Sequence, residues 1–355
     1  MDVGLIGLPR SGKTTVFNLL TKSHAEINQF GGAKAESRQA LAPIPDQRLD
    51  WLASHYHPKK LTPATISIVD VPGLSRSESG GPNRFLNDVR LVDALILVVR
   101  GFSADSGDAA SSLQDIEDME LELMLSDLDL LEKRKERIRT GKKLTAEHQA
   151  ELGLIERLSA TLESNQRLTQ IELSEEEIRM IRGYQLLTLK PLVWVINLDE
   201  DQLSRQEYDN REAIEALASA KDVPVVMMAA RMEQEIEELS DEDRDAFMKD
   251  LGIDHSGLSR VATAMYQKLG LISFLTAGDD EVRAWTIAAG TTAKKAAGKI
   301  HSDIERGFIR AEIVGFEDLE RAGSMTKARE LGTVRLEGKD YVMRDGDVVN
   351  FRFNV

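Results

Sequence analysis

Short, unbroken apolar runs alternate with longer polar stretches through the first hundred residues. Val3-Gly4-Leu5-Ile6, Ile66-Ser67-Ile68-Val69 and Ala94-Leu95-Ile96-Leu97-Val98-Val99 are rich in β-branched residues and too short for buried helices. Runs of this kind, apolar at nearly every position, predict strands covered on both faces. Leu192-Val193-Trp194-Val195-Ile196 and Val223-Pro224-Val225-Val226-Met227-Met228 repeat the pattern much later. Strands separated by helical stretches predict an α/β fold built on a mostly parallel sheet. Between Ser111 and Leu187 the period changes. Leu121, Met124, Leu128, Leu131 and Ile138 recur at three-and-four spacing, a second such stretch covers Leu144 to Leu162, and Gly141 offers a turn between them. An antiparallel helical hairpin, or coiled coil, inserted between two strands is the expectation. After Gly270 short strand-like runs return, among them Trp285-Thr286-Ile287 and Val348-Val349-Asn350-Phe351, the latter preceded by the turn Asp345-Gly346-Asp347. That tail predicts a small α+β domain. The expected division is 1–108 plus 188–270 for the α/β domain, 109–187 for the helical insertion and 271–355 for the tail domain.

The first candidate chemistry lies directly after the first run. Gly7-Leu8-Pro9-Arg10-Ser11-Gly12-Lys13-Thr14 fits G-x-x-x-x-G-K-[ST] without a mismatch. A strand precedes it, and Thr15 to Leu20 continue as a helix. Glycines at the loop ends let backbone N–H groups turn toward phosphates beside a helix N-terminus. Lys13 supplies a positive charge to the outer phosphates, and the Thr14 hydroxyl is a ligand for Mg²⁺. Arg10, Ser11, Gly12, Lys13, Thr14 and Thr15 are the expected phosphate contacts.

The run ending at Val69 leads into Asp70-Val71-Pro72-Gly73, the D-x-x-G pattern of nucleotide switches. Asp70 is expected to reach Mg²⁺ through a water, and the Gly73 N–H to sense the γ-phosphate. The next position, where Ras-like GTPases orient the attacking water with Gln, is Leu74. No catalytic side chain is assigned for that reason. Guanine-selective proteins carry N-K-x-D after a late strand; this chain has Asn197-Leu198-Asp199-Glu200, which weakens guanine selection and admits adenine. Ala229-Ala230-Arg231, after the following strand, is expected to line the other side of the base pocket.

A net charge of −15 argues against a nucleic-acid clamp over the whole surface, although the tail from Leu271 is nearly balanced and leaves room for a local basic patch. The absence of cysteine excludes disulfides and thiol chemistry. No apolar run is long enough for a membrane span, and Met1 to Gly7 reads as a first strand, not a secretory signal, so a cytoplasmic location is expected. His55 and His57 before Pro58 read as a helix C-terminus, not a metal pair; His148 and His301 read as packing, surface or structural residues.

The whole set resembles the Obg-like ATPase family of the YchF type, among the translation-factor-related P-loop proteins, as a divergent member. The likeness runs nearly end to end, through Pro43-Ile44-Pro45-Asp46-Gln47-Arg48-Leu49, Leu189-Lys190-Pro191, Glu281-Val282-Arg283-Ala284-Trp285-Thr286, Ala296-Ala297-Gly298-Lys299-Ile300-His301, Gly307-Phe308-Ile309-Arg310-Ala311 and Gly338-Lys339-Asp340-Tyr341. The resemblance implies a G domain, an inserted coiled coil and a C-terminal TGS domain of β-grasp fold. It implies slow hydrolysis of ATP at least as readily as GTP, dependence on Mg²⁺, association with the ribosome or another translation component, and RNA contact through the TGS domain. It also implies that Asn197 and Leu198 contact adenine, Leu198 through its backbone. Lys34 occupies the place of the family's switch I Thr, and the loop Ser75 to Gly81 is shorter than in the family. Two other readings stand beside the ATPase: a nucleotide-sensing scaffold with little turnover, and a GTP-specific translation GTPase.

Overall fold

The computed structural model describes residues 1–21, 38–70, 89–103, 110–141, 143–240, 243 and 256–354. In chain order the elements are β1 (Asp2–Ile6), α1 (Lys13–Thr21), β2 (Arg38–Pro43), α2 (Gln47–Tyr56), β3 (Lys60–Thr62), β4 (Thr65–Asp70), β5 (Ala94–Arg100), α3 (Ser112–Arg139), α4 (Ala146–Glu163) and α5 (Glu175–Ile181). There follow β6 (Leu192–Asn197), α6 (Glu200–Arg205), α7 (Arg211–Ala220), β7 (Val225–Met228), α8 (Ala230–Glu237) and α9 (Gly257–Lys268). The tail holds β8 (Leu271–Ala277), β9 (Glu281–Ala288), α10 (Ala293–Ile300), α11 (Ser302–Arg306), β10 (Phe308–Gly315), α12 (Phe316–Ala322), α13 (Met325–Glu330), β11 (Arg335–Glu337) and β12 (Asp347–Phe353).

Contacts group the chain into two compact units, residues 1–41 with 67–261 and residues 42–66 with 262–355. The expected division had placed 42–66 with the first domain and drawn the last boundary at residue 271.

The first unit carries a sheet in the order β2-β4-β1-β5-β6-β7. β4, β1, β5, β6 and β7 pair in parallel, with Leu5 opposite both Asp70 and Ile96, Arg100 opposite Asn197, and Asn197 opposite Met228. Every side chain of β6 is buried, as are the first six of β5, which is why those runs read as continuous apolar stretches. Because the strands are parallel and in step, Ile6, Asp70, Arg100, Asn197 and Met228 all end at one edge of the sheet. The carboxyl edge of such a sheet is where ligands bind.

α3 serves two cores. Its first half contributes Ile116, Met119 and Leu123 to the cluster around β5 and β6. Its second half contributes Met124, Leu131 and Ile138 to a separate cluster with Leu154, Ile155, Leu158 and Leu162 of α4. The expected apolar stripe holds at Met124, Leu131 and Ile138, with Leu128 packed beside them, but Leu121 is half exposed. The stripe shifts because the helix changes partners: Met119 and Leu123 face the sheet, which turns the position between them outward.

Buried charges tie this insertion down. The Asp127 carboxylate, fully buried, accepts from Arg90 Nη1 at 2.7 Å, from the Leu187 and Thr188 N–H groups at 3.0 and 2.8 Å, and from Thr188 Oγ1 at 2.7 Å. Glu120 pairs with Arg167 at 3.0 Å and Lys221 at 3.2 Å. A carboxylate with four donors has its desolvation offset by hydrogen bonds.

The second unit carries a sheet in the order β11-β10-β12-β8-β9-β3. β3, from early in the chain, pairs in parallel with β9, placing Lys60 opposite Glu281 and Thr62 opposite Arg283. Phe274, Ile287, Ala293, Ala296, Ile313 and Phe351 form its core on one face. α2, capped by Asp46, belongs to this unit too: Trp51 meets Phe316 edge-on at 5.4 Å, and Arg48 reaches Asp46 and Asp345.

Candidate functional site

The phosphate loop leaves β1 at the carboxyl edge and enters α1 at Lys13. Arg10 adopts φ 69° and Gly12 φ 85°, so the loop bends through two left-handed positions. Gly12 is required for a second reason: a Cβ there would lie 2.1 Å from Asn197 Nδ2. Val16 N–H donates to Gly12 O at 3.0 Å and starts the helix directly behind the loop. Ser11 is buried, and its Oγ has no hydrogen-bond partner among the described residues. A buried hydroxyl left unpaired in a loop of turned-in backbone is the mark of a site built for a polar ligand. Arg10 is exposed, while Thr14 and Thr15 are half-buried in the first turn of α1.

Lys13 is largely buried, and its ammonium group bonds to the Asp70 carboxylate at the end of β4. The two groups expected to meet phosphate and metal therefore neutralise one another across 57 residues of sequence. Thr14 and Asp70 present a hydroxyl and a carboxylate, hard oxygen donors that suit Mg²⁺. Among the described residues no group of three or more His, Asp and Glu is gathered as a metal cage. Mg²⁺ held by one or two protein oxygens and by substrate phosphates needs no such cage.

The base side is organised by Asn197. Its Nδ2 donates to Ser11 O at 3.1 Å and its Oδ1 accepts from Ala230 N–H at 3.1 Å. One buried amide thus joins the phosphate loop, the end of β6 and the start of α8. Both ends of the amide are engaged within the protein, so Asn197 fastens these three segments to one another. Leu198 is buried, and its N–H donates to Met228 O at 2.8 Å. Asp199 is the N-cap of α6: it accepts from Gln202 N–H, and Gln202 returns Oε1 to the Asp199 N–H. Gln202 also donates to Gly101 O at 2.9 Å. Glu200 is the first residue of α6 and points into the exposed layer. The acids that follow Asn197 are therefore committed to starting a helix.

Of the expected site residues, Arg10, Ser11, Gly12, Lys13, Thr14, Thr15, Asp70, Asn197, Leu198 and Ala230 all lie along the carboxyl edge of the first sheet. Gly73, Leu74, Lys34 and the loop 75–81 fall outside the described residues. The histidines do take structural places: His57 ends α2 in a left-handed conformation, His148 completes a capping box with Thr145, and His301 accepts from Asp303 N–H at the start of α11. Glu233 and Gly257, which pack behind the base side, escaped the sequence reading. A lone Glu in a charged helix and a Gly far from any motif carry no local signal.

A phosphate loop at the carboxyl edge of a parallel sheet, with an acid from the neighbouring strand beside its lysine, defines a P-loop nucleoside triphosphatase with a GTPase-type G domain. A family model described as a 50S ribosome-binding GTPase matches residues 2–137, and the YchF-GTPase C-terminal model, described as a protein of unknown function (DUF933), matches residues 271–354. The ribosome-binding ATPase YchF of Bacillus subtilis is 39% identical over 364 residues, covering 100% of both chains. That of Escherichia coli O157:H7 is 41% identical over 360 residues, covering 99% of each. The solved structure of the Schizosaccharomyces pombe YchF GTPase superposes with a TM-score of 0.85 at 31% identity, covering 99% of this chain and 97% of that one. The chain belongs to the YchF family.

Proposed function

We propose that this protein is a cytoplasmic, Mg²⁺-dependent NTP hydrolase that prefers ATP, turns it over slowly to ADP and phosphate, and works in association with the ribosome. The observation that carries the base preference is the fate of the acids after Asn197. Asp199 caps α6 and Glu200 opens it, so neither presents a carboxylate to a guanine edge. Adenine, which carries an amino group where guanine carries a carbonyl, suits backbone acceptors around Leu198 and Ala230. Asn197 holds these segments against the phosphate loop.

Arg10 to Thr15 would cradle the phosphates, with Lys13 passing from Asp70 to the outer phosphates and Gly73 sensing the last of them. Thr14 and Asp70 would hold Mg²⁺, which neutralises charge building on the phosphate oxygens. Leu74 cannot align a water, so slow turnover follows, and backbone and loop groups place the nucleophile. The α3–α4 pair would be the family's coiled coil, and the second unit with β10, β12, β8 and β9 its TGS domain, the surface offered to ribosomal RNA.

Single-turnover hydrolysis of Mg²⁺-ATP, with and without ribosomes, tests the reading. Slow turnover that ribosomes alter is expected. Binding without turnover under both conditions would leave the nucleotide-sensing scaffold instead, which Lys34 and the shortened loop 75–81 favour. Unlabelled ATP is expected to displace labelled GTP at submillimolar concentration, which a GTP-specific factor would not allow.

A further inference from the structure

Behind the base side, the N-terminus of α9 is fastened by a carboxylate from α8. Glu233 is almost fully buried, and its Oε2 accepts from Gly257 N–H at 2.7 Å and Leu258 N–H at 3.4 Å. Those are orphan donors of a helix first turn, where a negative charge is favoured. Gly257 fits with no room to spare: a Cβ there would lie 2.3 Å from Glu233 Oε1 and 2.6 Å from Met228 Cβ. Met228 is the residue whose carbonyl holds the Leu198 N–H, and Ala230, one turn before Glu233, holds Asn197. The helix end therefore presses on the β7–α8 junction that supplies both backbone anchors of the base side.

We propose that Glu233 and Gly257 are positioning residues for nucleotide base recognition, a strut that fixes the Met228–Ala230 junction and through it Asn197 and Leu198. This rests on the proposed nucleotide-binding function. The strut bears first on the base side, through Met228 and Ala230, and reaches the phosphate loop only through the Asn197–Ser11 bond, while that loop is also held by its own turn and by the Lys13–Asp70 pair.

The carboxyl group is set for titration near neutrality. Burial pushes it up to about 7, opposed by the Arg260 charge and the two backbone donors, with Glu237 on the same helix adding to the rise. Among the described residues Oε1 has no hydrogen-bond partner, and neither has Arg260 Nε. Ionised, the group makes charge-assisted bonds to the helix end; protonated, it makes weaker ones. Burial outweighs those bonds and holds the carboxyl above its ordinary range, so ionisation costs the packed helix end more than it gains, and the strut is firmer below pH 7 than above it.

Titration calorimetry of the full-length protein with Mg²⁺-ATP and with Mg²⁺-tripolyphosphate, which lacks the base, tests this. Gly257→Ala is expected to weaken ATP binding about tenfold, the worth of roughly one buried hydrogen bond's geometry, while tripolyphosphate affinity stays within about twofold. Glu233→Gln keeps an acceptor and the volume, so it folds; its ATP affinity should match wild type at pH 6 and exceed it by about tenfold at pH 8, where the wild-type carboxyl is ionised. The ratio between the two proteins cancels the titration of the phosphates themselves. Equal loss of both ligands, unchanged ATP affinity in Gly257→Ala, or a wild-type to Glu233→Gln ratio that does not move with pH would each overturn the proposal. Failure of wild type to bind ATP while it binds tripolyphosphate would instead overturn the ATP reading on which it rests.

Discussion

At the residue scale the proposed phosphate site rests on one ion pair. Lys13 and Asp70 satisfy each other, and a Mg²⁺-triphosphate would offer each a better partner of opposite sign. Lys13→Ala is expected to reduce Mg²⁺-ATP affinity by on the order of a hundredfold, the scale of a charge-assisted contact, and to leave Asp70 facing the phosphates unscreened. Filter binding with labelled ATP checks it; retention of wild-type affinity would remove Lys13 from the site. This part of the molecule was legible because eight consecutive residues carry both the turn and the charge. Asn197 was legible as a motif position, but its two hydrogen bonds, to Ser11 and from Ala230, were not, since those partners lie 186 and 33 residues away. Glu233 was invisible for the same reason.

Elements show how a periodic pattern can be right in kind and wrong in phase. α3 was expected as one amphipathic helix, yet it packs first on the sheet and then on α4, and the handover turns Leu121 outward. Leu121→Gln should accordingly change stability by less than about 0.5 kcal/mol, as for an ordinary surface site. Asp127→Ala, on the same helix, strands Arg90 and two backbone donors in the interior and should cost about 3–5 kcal/mol. Urea denaturation of both variants measures the contrast. On α8 the effect depends on pH. The folded-state pKa of Glu233 is raised, so the neutral carboxyl's advantage is complete below the unfolded value near 4.5 and is lost as pH rises through about 7. Glu233→Gln should therefore gain stability relative to wild type from pH 5 to pH 8, by up to about 3 kcal/mol. Thermal melts across that range would refute the assignment if the two curves stayed parallel.

Across the whole molecule, the sequence conveyed the α/β sheet, the helical insertion and a strand-rich tail, because each is announced by local periodicity or turns. It could not convey that residues 42–66 complete the second unit. β3 is three residues long, below the length at which alternation can be read, and its partner strand is remote. The run Pro43 to Leu49, which in the sequence carries only a family resemblance, gains a physical role here. Arg48 clamps Asp46 and Asp345, and Asp345 in turn accepts from Ser273 N–H at 2.8 Å. Arg48→Ala should destabilise the second unit by about 2 kcal/mol, the value of hydrogen bonds between charged groups. Hydrogen exchange at the β8 and β12 amides would report it, and unaltered protection there would count against the clamp.

The pairing of β3 with β9 also sets an order of events during synthesis. Thr62 bonds to Glu281 across 219 residues, so at about 5–20 residues per second the early strand waits roughly ten to forty seconds for the sheet it belongs to. Throughout that interval Leu49 and Leu52 of α2, buried in the finished molecule, lack β9, against which α2 packs. A chain terminated before residue 281 is therefore apolar and uncovered near its front as well as cut short at its back.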